Sequence, residues 1–139
     1  MLLYPLQDHV ADKICAMYEM HERSSGPDSP STRFRDLADL LLISQREAIE
    51  GRAVQFALSV EVPRRRALGT KLTLPTSFQV PDPVSWAQKY PTAAAEVTGL
   101  RGCRTLDEAS AAAEVFITPL LAADDPGAWD PAAACGTRR

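Results

Sequence analysis

Apolar residues near the start of the chain recur at three- and four-residue steps. Leu6, Val10, Ile14, Met17 and Tyr18 fall on one stripe, and Asp12, Lys13, Glu19 and Glu22 fall off it. That period belongs to an α-helix with one buried face, and it predicts a first helix from Pro5 or Leu6 to Glu22. Pro5 suits a first turn, and Asp8 lies close to the positive end of the helix dipole. The segment between Arg23 and Ser31 is rich in Ser, Gly and Pro and breaks the pattern. Ser31 or Thr32 is then expected to cap a second helix, Phe34 to about Ser44, with Phe34, Leu37, Ala38, Leu40 and Leu41 inward.

A third helix is expected from Gln45 to Val60, with Ile49, Val54, Phe56, Ala57 and Val60 as its apolar content and Pro63 as its stop. The three arginines that follow, Arg64, Arg65 and Arg66, read as a solvated run at a helix end, where cations are favourable. From Gly69 to Pro83 an extended connection is expected, since Pro75, Pro81 and Pro83 disfavour a central strand. A fourth helix begins near Pro83 and carries Trp86 and Tyr90 as core anchors, with Pro91 kinking or interrupting it. Thr105 and Glu108 have the spacing of a capping box. They open a fifth helix through Ala109, Ala112, Ala113 and Phe116, which Pro119 bends or ends near Leu121. The expectation is a mainly α chain: one compact helical domain of about five helices over residues 1–121, with residues 122–139 as a flexible tail.

Bulk properties narrow the function only slightly. A length of 139 residues with 45% hydrophobic content suits a single domain. A net charge of −3 makes the chain no general polyanion binder, and 6% aromatics argue against a stacking platform for single strands. The three cysteines, Cys15, Cys103 and Cys135, show neither metal-ligand spacing nor a disulfide framework. His9 and His21 lack ligand neighbours as well. The apolar start is too short for a signal peptide, and no stretch reaches the roughly 20 apolar residues of a membrane span, so a cytoplasmic protein is expected.

Two polar clusters stand out: Asp8 to Lys13 in the first helix, and Arg33, Arg35, Asp36 and Asp39 in the second. Helices joined by a loop of about nine residues should pack antiparallel, which would place both polar edges on a common groove. Lys13 could then grip a triphosphate as a point charge, with Arg33 and Arg35 adding planar donors and Asp36 orienting the lysine. Spacing equally allows plain surface ion pairs such as Arg35 with Asp39.

The stretch Tyr4-Pro-Leu-Gln-Asp-His-Val-Ala-Asp-Lys-Ile-Cys-Ala16, followed by Ser31-Thr-Arg-Phe-Arg-Asp-Leu-Ala-Asp-Leu40, resembles the second half of the AbiEii/AbiGii family. These are nucleotidyltransferase-like toxins of toxin–antitoxin and phage-defence systems, the MenT toxins among them. The resemblance covers roughly residues 4–121. It includes the stretch ending at Trp86 and the helix start from Arg104 to Ala109. It implies that Lys13 and Asp36 complete an active site, with Arg33, Arg35 and Asp39 in supporting, nucleotide-binding roles. It further implies Mg²⁺ and NTP as cofactor and substrate of the full-length family, RNA (tRNA foremost) as acceptor, and a cognate antitoxin as partner. The family's earlier module, a Gly-Ser turn with an Asp-x-Asp metal pair, has no counterpart in this sequence. No metal ligand is therefore assigned here, and no cofactor is expected on this chain alone. The chain is expected to be a truncated toxin, from a misassigned start or a split gene. The alternative is a non-enzymatic helical module, or an inactive remnant, that binds an antitoxin or a nucleic acid through Arg64–Arg66.

Overall fold

A computed structural model describes residues 5–20, 33–122 and 126–134. The fold is mainly α, as the periodicity predicts. Helices α1 (Leu6–Tyr18), α2 (Phe34–Arg46), α3 (Gly51–Ala67), α4 (Pro83–Ala95) and α5 (Leu106–Phe116) carry it, with short helices α6 (Thr118–Leu121) and α7 (Pro131–Ala134). Four two-residue strands form two antiparallel ladders: β1 (Glu19–Met20) with β3 (Lys71–Leu72), and β2 (Ile49–Glu50) with β4 (Ala128–Trp129). Among the described residues no helix is long and apolar enough to cross a membrane.

Helix α1 packs on both α2 and α3, and α2 packs in turn on α4 and α5. The stripe read from the sequence is the buried face: Val10, Ile14 and Met17 have no exposed surface, and Leu6 and Tyr18 pack at its edge. The helix ends at Tyr18, short of the expected Glu22, because Glu19 turns extended to begin β1. Tyr18 fixes that exit. Its hydroxyl donates to the Gln79 carbonyl at 2.8 Å and accepts from the Gln79 N–H at 3.1 Å.

Of the expected inward set of α2, Leu37, Ala38, Leu40 and Leu41 are fully buried, while Phe34 packs half-buried at the edge of the core. Arg33 occupies the N-cap position without a side-chain cap bond, and the expected caps Ser31 and Thr32 lie outside the described residues. Buried Ser44 satisfies its hydroxyl on the Leu41 carbonyl at 2.6 Å.

The third helix departs most from expectation. Gln45 and Arg46 finish α2, Ile49 and Glu50 form a strand, and α3 starts only at Gly51. It then runs through Pro63 to Ala67, so the proline does not stop it. A proline in mid-helix deprives the carbonyl four residues earlier of its N–H. Here that carbonyl belongs to exposed Ser59, on a side where water can reach it. The turn beyond is held by ion pairs of Arg64 and Arg65 with Glu61, and Arg65 and Arg66 carbonyls accept the N–H groups of Leu68 and Gly69. Phe56 and Val60, expected as apolar content of this helix, are exposed.

Helix α4 starts at Pro83 with Asp82 as cap and continues through Pro91 without interruption. Its Trp86, Tyr90 and Ala94 are fully buried, and the Tyr90 hydroxyl donates to the Cys103 carbonyl at 2.8 Å. Thr105 caps α5 by accepting the Glu108 N–H at 3.2 Å, and the Glu108 carboxylate reaches back to the Arg104 N–H at 2.9 Å. Of the segment expected as a tail, residues 126–134 are described. Trp129 packs edge-to-face on Phe116 at 4.8 Å, and its indole N–H donates to the Ser44 carbonyl at 2.8 Å.

Gly51 is where this segment meets α3. Its N–H donates to the Gly127 carbonyl at 2.9 Å, and a Cβ there would collide with Pro126 and with that carbonyl. Gly51→Ala is expected to cost about 1–3 kcal/mol, the usual penalty of overpacking, read as a lower urea midpoint at an unchanged slope. An unchanged midpoint would show that residues 126–129 add nothing to stability.

Candidate active site at the meeting of α1 and α2

Lys13 and Asp36 lie 23 positions apart in sequence, and the packing of α1 on α2 brings them into contact. Lys13 follows buried Ala11 and precedes buried Ile14 and Cys15, so its stem leaves the core at the rim of the interface. Its Nζ donates to Asp36 Oδ1 at 3.2 Å and to Asp39 Oδ2 at 3.1 Å. Asp36 and Asp39 are three apart on α2 and so share a face. Asp36 stands in the first turn, where the helix dipole favours a carboxylate.

Asp36 is one of two buried polar or charged side chains among the described residues, with 5% of its surface exposed. Its second oxygen, Oδ2, has no aligned hydrogen bond. Arg33 Nε stands 2.9 Å away, a charge contact without hydrogen-bond geometry. Arg35 lies farther out, its Nε 3.9 Å from Asp39 Oδ1 and its Nη1 3.5 Å from Glu96 Oε1 at the end of α4.

Thus all five candidate residues, Lys13, Arg33, Arg35, Asp36 and Asp39, gather in one cluster, and Glu96 joins them. The i,i+4 pair of Arg35 with Asp39 is present but long. Burial works against the charge on Lys13, but the hydrogen bond to Asp39 and the fields of Asp36 and Asp39 outweigh it and raise its pKa above the ordinary lysine value. A raised lysine pKa contributes stability that is complete below about 10.4 and is lost only as pH rises through the folded value. The ammonium is therefore intact throughout the neutral range.

A second ion cluster sits on the other side of α1. Arg65 contacts Asp12, Glu19 and Glu61 at once, with its Nη1 2.5 Å from Glu19 and its Nε 2.5 Å from Glu61. Only 13% of its side chain is exposed. This corrects the reading of the triple arginine as a solvated run at Arg65 alone, since Arg64 and Arg66 are exposed in the last turn of α3 as expected. Arg65 is a tie between α1 and α3, Arg64 pairs with Glu61, and Arg66 donates to the Leu72 carbonyl at 2.8 Å. The four-residue spacing of Glu61 and Arg65 was visible in the sequence; the partners Asp12 and Glu19 were not. Hydrogen bonding from Arg64, against some burial and with help from Arg65, holds the Glu61 carboxyl below its usual range.

Cys15 and Cys103 are buried free thiols. Burial, opposed by the charge of Arg65, pushes Cys15 up to about 12, which leaves it a protonated and inert thiol at neutral pH. Among the described residues no group of three or more His, Cys, Asp or Glu is placed to hold a metal ion.

A family model described as nucleotidyl transferase AbiEii toxin, type IV toxin–antitoxin system, matches residues 1–115. That span contains both ion clusters and every candidate site residue. No curated protein and no solved structure matches the chain.

Arg65→Ala would leave three carboxylates facing one another at a part-buried junction, and is expected to cost about 3 kcal/mol in urea unfolding. A cost under about 0.5 kcal/mol would make the cluster an incidental surface pairing. Because the Glu61 pKa is depressed, its contribution is present above about 4.5 and lost as pH falls through the folded value. The stability gap between the wild type and Glu61→Gln should therefore be open at neutral pH and close in acid.

Proposed function

This chain belongs to the nucleotidyl transferase AbiEii toxin family of type IV toxin–antitoxin systems, and we propose that Lys13 and Asp36 are the part of its transfer site that grips an incoming nucleoside triphosphate. The Lys13 ammonium carries this reading. It is sheltered at a helix interface, aimed by two carboxylates and charged throughout the neutral range. An ammonium has three N–H groups. Asp36 and Asp39 take two, and the third is the one to meet a phosphate oxygen. Arg33 and Arg35, with 52% and 56% of their side chains exposed, add planar donors at the same edge. Lys13 is thus the catalytic candidate, while Asp36 and Asp39 are positioning residues that hold it in register.

In the reaction proposed, a hydroxyl at the end of an RNA, tRNA foremost, attacks the α-phosphorus of the NTP and releases its proton to solvent. The bond from the α-phosphorus to the bridging oxygen breaks, and pyrophosphate leaves. Lys13 counters charge on the phosphate chain as it builds on the leaving group. Nucleotidyltransferases use Mg²⁺ along with the NTP, and the ion, when bound, offsets triphosphate charge. The residues gathered here do not fit that ion, because an ammonium already stands between the two carboxylates. We therefore assign its ligands to a Gly-Ser and Asp-x-Asp module that completes the site, and read this chain as the Lys13–Asp36 half of the enzyme. An antitoxin partner follows from the toxin–antitoxin membership. The alternative of nucleic-acid binding through Arg64–Arg66 has less support at Arg65, which is enclosed by three carboxylates, than at exposed Arg64 and Arg66.

The test is transfer of labelled nucleotide from NTP to tRNA in the presence of Mg²⁺, with this chain joined to such a module. Lys13→Ala is expected to lower the rate on the order of a hundredfold or more, as loss of a charge-stabilising donor does elsewhere. Lys13→Arg should recover only part of it, because a planar fork does not replace a point charge. Transfer unaffected by Lys13→Ala would overturn the assignment.

A further inference from the structure

On the far side of Arg35 from Lys13 lies a cavity of about 330 Å³, lined by Phe34, Gln88, Lys89, Thr92, Ala93 and Glu96. It forms where the first turn of α2 meets the outer surface of α4. A continuous series of charge contacts joins it to the Lys13 cluster. Lys13 donates to Asp39, Arg35 stands beside Asp39, and Arg35 reaches Glu96 at the cavity wall. Phe34 directly precedes Arg35, so cavity and cluster share one turn of helix.

The lining has a specific chemical character. Phe34 offers a half-buried ring held in place by an edge-to-face contact with fully buried Trp86, at a centroid distance of 5.1 Å and an angle of 79°. Gln88 supplies an amide with both donor and acceptor, and Thr92 a hydroxyl that can do either. One cation, Lys89, and one anion, Glu96, offset each other, so the cavity is not built for a polyanion. The volume is at the lower limit of ligand pockets, which run from ~300 to 1,000 Å³, and suits one ring system. An aromatic surface with a donor–acceptor edge is what a nucleobase requires for stacking and hydrogen bonding.

We propose that this cavity receives the nucleobase of the same nucleoside triphosphate whose phosphates meet Lys13, which makes Phe34, Gln88 and Thr92 base-contacting residues. The assignment rests on the reading of the Lys13 cluster as a triphosphate site. Arg35, at the boundary, would then exchange its carboxylate partners for the phosphate or sugar of the bound nucleotide.

The experiment compares ATP, GTP, CTP and UTP with inorganic tripolyphosphate, each with Mg²⁺, titrated calorimetrically into the intact chain. Gln88 and Thr92 are exposed on α4, so Gln88→Ala with Thr92→Val should leave the fold unchanged, as circular dichroism would verify. At least one nucleoside triphosphate is expected to bind more tightly than tripolyphosphate. The double variant should weaken that nucleotide about tenfold while changing tripolyphosphate less than twofold. Lys13→Ala should weaken both. Equal binding of nucleotides and tripolyphosphate, or a double variant that changes neither, overturns the base cavity and leaves the phosphate reading standing. Tripolyphosphate binding that survives Lys13→Ala instead overturns the phosphate reading. Absence of binding by any of these probes overturns both.

Discussion

Two neighbouring residues on one helix, Asp12 and Lys13, tie α1 to its two neighbours by charges of opposite sign. Successive helical residues point about 100° apart, so Asp12 faces Arg65 of α3 while Lys13 faces Asp36 and Asp39 of α2. The apolar stripe of Val10, Ile14 and Met17, on the far side of Lys13 from Asp12, supplies the burial that holds the helices together. Charged clusters of this kind add little net stability, because desolvation offsets most of the attraction. They do penalise every other register: a slide of α1 by one residue would separate both clusters and leave Asp36 buried without Lys13. Packing sets how strongly α1 is held, and the two clusters set where.

That constraint bears directly on the chemistry proposed. A lysine meant for phosphate on a mobile surface stem loses rotamer freedom each time a ligand arrives. Lys13 has already lost it, since two carboxylates hold its Nζ. The cluster holds three cations and three anions, counting Lys13, Arg33 and Arg35 against Asp36, Asp39 and Glu96. In the proposed site an arriving triphosphate would compete for cations, and Arg33 and Arg35 are the exposed ones it would meet. The buried Asp36 stays, and with it the position of Lys13.

The prolines show why local rules misplace helix ends. Pro63 was read as a stop, yet α3 continues through it, and Pro91 lies within α4. The cost of an interior proline, roughly 3 kcal/mol, is a local term. At Pro63 the freed carbonyl belongs to exposed Ser59, and Arg65 with its three carboxylates fixes where the following turn lies. The same competition ends α1 early. Helical propensity alone would carry it through Glu19, but pairing of Glu19 and Met20 with Lys71 and Leu72 draws the backbone extended. Gln45 and Arg46 moved from α3 to α2 for a similar reason, since Ile49 and Glu50 pair with residues near the other end of the chain.

The sequence by itself determined what repeats over short distances. The buried faces of α1 and α2, the start of α4 at Pro83, the cap at Thr105 and the candidates Lys13 and Asp36 all follow from helical period, capping chemistry or motif. Each depends on residues within a few turns of one another. Only the tertiary structure decided that Asp39 shares the lysine with Asp36, that Arg65 is an internal tie, and that Glu96 extends the cluster toward a cavity on α4. Those contacts join residues 26, 53 and 61 positions apart. No periodicity spans such separations. They are fixed by how helix faces of given shape and volume fill one core, a property of the packed whole.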